Sequence, residues 1–234
     1  MQNKIVLGAN PSTRLEIKAG ITRPIEALAA LAGLIIVSPL LVLSALAIVI
    51  SSRGPVLFRQ PRVGRNGRRF VMYKLRTMRA SQSGPQVTAG DDDRVTPVGR
   101  LLRKTKLDEL PELWNVLKGD MSLVGPRPEV PRYVNLDDPA WRSVLVARPG
   151  LTDPMTLRLR NEEVLLTEIK GDREVFYRET LLPYKLKGYL GYLEARNWQT
   201  DVKVLLKTAA AVLFPDKTPP PTLLEISRSI EAGG

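Results

Sequence analysis

The stretch that decides the fold is ALAALAGLIIVSPLLVLSALAIVI, residues 27–50, which contains no charged side chain. At ~1.5 Å per residue, a helix of this length would reach across the ~30 Å hydrocarbon core of a bilayer. Ser38 and Pro39 lie in its middle, and an internal proline removes a backbone donor and clashes with the preceding turn. We therefore expect a membrane helix that is kinked or reversed at Ser38-Pro39.

Both flanks of this segment are basic. Lysine and arginine mark the cytoplasmic side of a membrane segment, so a simple spanning helix would usually have one flank poor in them. The distribution favours a re-entrant hairpin that keeps both ends cytoplasmic, and an ordinary spanning helix with a proline kink is the alternative. The basic residues are Arg14, Lys18 and Arg23 upstream, and Arg53, Arg59, Arg62, Arg65, Arg68, Arg69, Lys74, Arg76 and Arg79 downstream.

The amino-acid composition limits which catalytic and metal-binding groups the chain can supply. The chain has 234 residues, which fits one domain with terminal elaborations, and it contains no cysteine and no histidine. This excludes disulfides, thiolate or imidazole metal ligands, a cysteine nucleophile and a histidine-based triad. The net charge of +11 favours an anionic partner, which could be nucleic acid, an acidic membrane surface or phosphorylated small molecules.

A basic β-hairpin is predicted after the apolar segment. Residues 55–60 and 68–76 alternate apolar and polar side chains around GRNG at 64–67, and Asn-Gly is a strong turn signal. Its basic residues could bind anionic lipid headgroups or line a phosphate pocket. Lys74 and Arg76 fall on one face of the second strand, so they are the better candidates for a site. Nucleic acid binding is a further alternative, although the hairpin lacks a regular pattern of interleaved aromatic residues and the sequence has no recognisable recognition helix.

Two adjacent acids, Asp108 and Glu109, precede an amphipathic helix that ends near Gly119. Asp108 is predicted at or next to the helix N-cap, with Pro111 in the first turn. The helix N-terminus would keep Asp108 ionised and attract phosphate, although capping alone could explain both acids. The apolar face consists of Leu110, Leu113, Trp114 and Leu117.

The wider text around this pair is KTKLDELP at 104–111 and NVLKGDMSLVGPRP at 115–128. It resembles the bacterial sugar transferase family, the small monotopic phosphoglycosyl transferases that start glycan assembly on a polyprenyl phosphate carrier. The resemblance covers roughly 23–214. It implies an α+β, membrane-associated fold on the cytoplasmic face of the bacterial inner membrane. That fold has a re-entrant helical hairpin broken at Ser38-Pro39, a basic β-hairpin, an active-site helix and interfacial amphipathic helices.

The resemblance also implies roles. Asp108 would be a nucleophile that attacks the sugar-bearing phosphate of a nucleoside diphosphate sugar, and Glu109 would be a base for polyprenyl phosphate. Mg²⁺ held by Asp108 would neutralise the diphosphate. The partners implied are these two substrates and anionic membrane lipids. The substrate phosphates would be bound by Arg103, Arg127, Arg160, Lys74 and Arg76.

At several positions the sequence differs from the family pattern, and there the resemblance is a weaker guide to function. Lys106 and Glu112 differ from the residues common at their positions, and we expect both at the rim of the site. Asp153 and the pair at 158–159 also differ, so the preferred sugar and nucleotide are not predicted. A non-catalytic membrane scaffold and a nucleic-acid-binding membrane protein are the rival functions.

The C-terminal third predicts an interfacial helix and a proline-rich linker. Val202, Leu205, Leu206, Ala209 and Leu213 form its apolar stripe. Tyr184, Tyr189, Tyr192 and Trp198 suit either headgroup depth or a packed core. The predicted segments are 1–22 (N-terminal), 23–52 (membrane helix), 53–214 (catalytic domain) and 215–234 (linker and tail).

Overall fold

The computed structural model describes residues 19–79, 87–214 and 221–231. Arg14, Lys18 and the predicted linker at 215–220 lie outside these residues, and the division into four segments stays a prediction. The helices are α1 (Arg23–Ser51), α2 (Pro97–Thr105), α3 (Glu112–Lys118), α4 (Pro139–Val144), α5 (Pro154–Arg158), α6 (Glu162–Thr167), α7 (Arg173–Phe176), α8 (Leu182–Ala195), α9 (Trp198–Leu213) and α10 (Leu223–Glu231). The strands are β1 (Leu57–Val63), β2 (Arg69–Leu75), β3 (Ser122–Val124) and β4 (Gly150–Thr152). This mixture of helix and sheet confirms the α+β class.

Helix α1 contains the long apolar segment and is continuous through Ser38 and Pro39. Because Pro39 has no N–H, it cannot donate to the carbonyl of Ile35 four residues earlier. The Ser38 hydroxyl donates to that carbonyl instead, at 2.8 Å. The expectation of two helices joined by a turn is therefore not confirmed, since the local bonding keeps the segment helical.

Both ends of α1 are attached to the same folded body. Near its start, the buried Glu26 carboxylate accepts a hydrogen bond from the Leu123 N–H at 3.0 Å. Just after its end, the Ser52 carbonyl accepts a hydrogen bond from Arg76 at 2.7 Å. Between these attachments only 11% of the most apolar 18-residue window is buried. The helix therefore offers a long apolar surface and is attached to the folded body near both of its termini.

The predicted basic hairpin is confirmed. Strands β1 and β2 pair antiparallel, with Leu57 opposite Leu75 and Val63 opposite Arg69. Asn66 lies in the left-handed region at φ 56°, the conformation that an Asn-Gly turn requires.

Asn115 joins α3 to this hairpin. Its side-chain amide donates to the Val71 carbonyl at 2.7 Å, and its carbonyl oxygen accepts from the Tyr73 N–H at 3.2 Å. Asn115 is completely buried, so its amide group is satisfied by these two strand groups and not by water. This contact holds β2 beside the turn that carries the two acids.

A short parallel pair, β3 and β4, leads the chain into the segment around Arg127. The two backbones approach so closely that a Cβ on Gly125 would lie 2.5 Å from the Arg148 carbonyl oxygen. A Cβ on Gly150 would lie 2.1 Å from the Gly125 nitrogen. Only glycine fits at both positions, and this fit positions Arg127.

In the C-terminal helices, the structure shows which aromatic side chains lie in the packed core and which are exposed. Tyr184, Tyr189 and Tyr192 are buried in the core, whereas Trp198 is exposed. Helix α9 packs through Val204 and Ala211. The predicted stripe is exposed at Val202, Leu206 and Ala209 and partly buried at Leu205, while the Leu213 side chain lies outside the description. Helix α10 packs on α8.

We predict that Asn115→Ala lowers the free energy of unfolding by about 1–3 kcal/mol, because it removes the side-chain partner of two backbone groups of β2. Denaturant unfolding of the detergent-purified protein measures this. Lys118→Ala is the control, since it removes a surface pair with Asp120 on the same helix and should change the value by less than about 1 kcal/mol. Equal effects of the two substitutions would contradict the bridging role.

Candidate active site

The two adjacent acids lie in a short 3₁₀ turn, Leu107–Glu109, between α2 and α3. Lys106 precedes this turn in the left-handed conformation at φ 59° and so ends α2. Helix α3 begins only at Glu112, and its cap residue is Pro111. The predicted N-cap position of Asp108 is therefore wrong, because the acids lie in a separate 3₁₀ turn that ends before the helix begins.

The Asp108 carboxyl group is buried, and among the described residues its Oδ1 atom has no hydrogen-bond partner. Burial raises the pKa of Asp108 to about 6, with Glu109 adding to the rise and Lys74 opposing it. This corrects the expectation that a helix terminus keeps the group readily ionised. Asp108 is instead a carboxyl group with an uncommitted oxygen that loses its proton just below neutral pH.

Glu109 lies between two cations from distant parts of the chain. Its Oε1 atom accepts a hydrogen bond from Lys74 Nζ of β2 at 2.9 Å and another from Arg127 Nη2. Burial alone would raise the pKa of Glu109, but Arg127 and Lys74 outweigh it and hold that pKa well below its usual range. Glu109 is therefore an anion at neutral pH.

Three other predicted phosphate-binding residues lie around the same cleft but have partners of their own. Arg103 donates to Thr77 Oγ1 and to Glu163 Oε1, each at 2.9 Å. Arg76 is held against the end of α1 by Ser52, and Arg160 donates to the Ala211 carbonyl of α9. Of the five predicted cations, only Lys74 and Arg127 form ion pairs with Glu109 within the described residues.

The acids open into a cleft of about 1350 Å³. Eleven of its described lining residues are Lys or Arg and five are Asp or Glu, so its walls are strongly positive. The basic hairpin contributes Arg59, Arg62, Lys74 and Arg76, and Arg79 follows it. The hairpin cations thus line the pocket, one of the two uses that its sequence left open.

Glu112 was expected at the rim, and the structure contradicts this. Its exposure is 0%, and Lys74 Nζ lies 3.4 Å from its Oε1 atom. The sequence spacing could have indicated this position. Glu112 follows Asp108 by four residues, which is close to one helical turn, a spacing that places both acids on one side of a helix.

Asp153, another departure from the family pattern, has a structural position. It is completely buried and caps α5, accepting hydrogen bonds from the Met155 N–H at 2.7 Å and the Thr156 N–H at 3.2 Å. The neighbouring Thr152 and Thr156 line the cleft. Asp153 therefore shapes the backbone of one wall of the cleft.

Comparison with known proteins assigns the chain to a family. The sequence model of the bacterial sugar transferase family matches residues 17–215, and the chain belongs to this family. It is 40% identical over 184 residues to the UDP-glucose:undecaprenyl-phosphate glucose-1-phosphate transferase of Caulobacter vibrioides, which covers 76% of this chain and 64% of that protein. It is 49% identical over 192 residues to the undecaprenyl-phosphate glucose phosphotransferase of Komagataeibacter xylinus, covering 77% of this chain and 34% of that protein.

A third relative is closer in length. The exopolysaccharide production protein ExoY of Sinorhizobium fredii is 36% identical over 177 residues, covering 68% of this chain and 78% of that protein. The chain spans less than two thirds of the length of the Caulobacter and Komagataeibacter relatives.

We predict that the Asp108 carboxyl titrates with a midpoint near 6 in the metal-free protein. Carboxyl ¹³C NMR measures this, with the resonance assigned by its loss in Asp108→Asn. Asp92 is the internal control, because its hydrogen bonds with Arg94 lower its pKa. Similar midpoints for the two aspartates would contradict the role of burial.

Proposed function

We propose that this protein is a phosphoglycosyl transferase that moves a phosphosugar from a nucleoside diphosphate sugar to polyprenyl phosphate and so starts the assembly of a glycan. The observation that carries the proposal is the Asp108 carboxyl, whose free oxygen lies at the wall of a basic cleft beside a cation-paired glutamate. Relatives of the chain include UDP-glucose and UDP-N-acetylgalactosamine transferases that use undecaprenyl phosphate. They support a UDP-sugar donor and an undecaprenyl phosphate acceptor here.

In the first step, an Asp108 carboxylate oxygen attacks the phosphorus that carries the sugar. The bond from that phosphorus to the nucleotide oxygen breaks, and nucleoside monophosphate leaves with the electron pair. The product is a phosphosugar joined to Asp108 through an acyl phosphate, which is a mixed anhydride. A free oxygen atom on Asp108 suits this role, because a nucleophile tied up in hydrogen bonds would first have to break them.

In the second step, a phosphate oxygen of the lipid acceptor attacks the same phosphorus and releases Asp108. Glu109 accepts the acceptor's proton where that phosphate arrives protonated. Lys74 and Arg127 hold the Glu109 pKa low at rest. As substrate phosphates draw these cations toward themselves, the hold on Glu109 weakens and it becomes a better base. The same two cations thus serve the phosphates and the base in turn.

We further propose Mg²⁺ as the cofactor, with Asp108 as its protein ligand. The fit rests on the unpartnered, buried Asp108 Oδ1, since a carboxylate oxygen is the donor that Mg²⁺ prefers. No cluster of three acidic ligands occurs among the described residues, so substrate oxygens and water would complete the coordination. When bound, the ion would neutralise part of the diphosphate charge. Arg127 and Lys74 would orient the same phosphates.

We propose that α1 enters and leaves the bilayer on the cytoplasmic side. A helix perpendicular to the membrane would separate its ends by about 30 Å of hydrocarbon. The contacts of Glu26 and of Ser52 attach both ends to one folded body, which supports a re-entrant course. The exposed side chains of α9, including Trp198 and Leu206, suit a helix at the bilayer interface. The lipid acceptor would then reach Asp108 from the membrane side.

Replacing the nucleophile tests the reaction. We expect Asp108→Asn to reduce nucleoside monophosphate release from UDP-sugars by about 10³-fold or more, because the asparagine side chain cannot form the acyl phosphate. The measurement is release of UMP by purified protein given Mg²⁺, undecaprenyl phosphate and a panel of UDP-sugars. Intact-protein mass spectrometry should detect the phosphosugar adduct on wild type alone.

Asp91→Asn is the matched control. Asp91 is an exposed aspartate in an ion pair with Arg173 and lies outside the cleft lining. Wild-type turnover by Asp108→Asn would exclude the nucleophile assignment.

The course of α1 can be tested by cysteine labelling, because the natural chain has no cysteine. Thr22→Cys and Arg53→Cys place single thiols at exposed positions beyond the two ends of α1. We expect a membrane-impermeant maleimide to label both in inverted inner-membrane vesicles and neither in intact spheroplasts. Leu43→Cys, in the middle of the helix, should be protected in both preparations. Labelling of either terminal thiol from outside would establish a spanning helix instead.

A further inference from the structure

Glu112 is a buried acid that the proposed reaction does not use. It is the first residue of α3, its exposure is 0%, and it does not line the cleft. Neither of its carboxylate oxygens has a hydrogen-bond partner within the described part of the chain. A buried carboxylate without hydrogen bonds is costly, so this side chain calls for an explanation.

Glu112 shares its two neighbouring cations with Glu109. Lys74 Nζ lies 3.4 Å from Glu112 Oε1 and 2.9 Å from Glu109 Oε1. Arg127 Nη2 lies 3.9 Å from Glu112 Oε1 and hydrogen-bonds to Glu109 Oε1. Both cations therefore favour Glu109 in this arrangement, although Glu112 lies within reach of each.

The ionisation states of Glu109 and Glu112 decide which of these two acids holds the cations. Glu109 and Glu112 contact the same two cations, Lys74 and Arg127. Burial raises the pKa of Glu112 more than Lys74 and Arg127 lower it, and Glu109 adds to the rise. The ionisable groups that face Glu112 are Lys74 from β2, Arg127 from the segment after β3 and Glu109 from the turn. Glu112 is consequently shifted toward its protonated form, whereas the two cations hold Glu109 as the anion.

We propose that Glu112 is a positioning residue: as an uncharged carboxyl group it spaces Lys74 and Arg127 around Glu109, and when it ionises it draws both cations away from Glu109. This inference rests on the proposed function, because Lys74 and Arg127 are the cations assigned there to the substrate phosphates. Glu112 itself touches no substrate. Its effect on turnover is transmitted by the two cations. As the pH rises, ionisation of Glu112 displaces them and turnover falls.

The decisive variant is Glu112→Gln, which keeps the shape of the uncharged acid and cannot ionise. We expect the ratio of kcat/KM at pH 9 to kcat/KM at pH 7 to be at least about threefold higher in Glu112→Gln than in wild type. The assay is UMP release from the UDP-sugar that wild type uses. Glu225→Gln, which removes an acid from an exposed pair with Arg158, should leave the ratio at the wild-type value.

Thermal unfolding supplies a readout that does not need turnover. A group with a raised pKa in the folded state loses its stabilising effect as the pH rises through that value. The melting temperature of Glu112→Gln minus that of wild type should therefore increase by several degrees between pH 5 and pH 9. A Glu112 whose pKa in the folded protein is ordinary would give a nearly constant difference.

The possible outcomes distinguish a failure of the positioning role of Glu112 from a failure of the proposed function. An unchanged activity ratio in a wild-type protein that does release UMP overturns the positioning role and leaves the proposed function intact. A constant difference in melting temperature also overturns it, because the pKa of Glu112 is then not raised in the folded protein and Glu112 does not act there as an uncharged group. A wild-type protein that releases no UMP from any UDP-sugar overturns the proposed function, and the positioning role with it.

Discussion

The ion pairs of Glu109 with Lys74 and Arg127 are the contacts on which the rest of the site depends. They join β2 of the basic hairpin, the turn between α2 and α3, and the segment that follows β3. Each partner is less than a quarter exposed, so the attraction is only weakly screened by water and salt. Removing either cation would leave a carboxylate poorly compensated, and this penalty keeps three distant segments together.

The scaffold around these pairs restricts how the segments can move. Asn115 ties β2 to α3, and the close approach of Gly125 to Gly150 directs the chain toward Arg127. Arg76 fastens the end of α1 to the hairpin. The apolar helix and the polar cleft are therefore parts of one rigid arrangement. A soluble donor and a lipid acceptor could meet in such an arrangement without a large movement of the protein.

Much of the fold could be predicted from local patterns. Alternation and the Asn-Gly turn located the hairpin, and the uncharged stretch located α1, because both signals depend on residues close together in sequence. The helix start at Asp108 was mispredicted. Periodicity reports which residues share a face, but it does not reveal that α2 ends at the left-handed residue Lys106 or that α3 begins only at Glu112, after the acids. The tyrosines of α8 could not be assigned to core or interface, since both environments suit an aromatic ring with a polar end.

The sequence by itself determined which chemistry was possible: without cysteine or histidine, the reactive groups had to be carboxylates in a strongly basic chain, and the motif around Asp108 indicated the family. Only the tertiary structure decided the state of those carboxyl groups. Asp108 is buried with a free oxygen, Glu109 is clamped by two cations, and Glu112 is enclosed behind them. The physical reason is that the ionisation of a carboxyl group depends on solvent exclusion and on nearby charges. Here Lys74 and Arg127, which supply those charges, are brought to the acids from segments more than fifteen residues away in the chain.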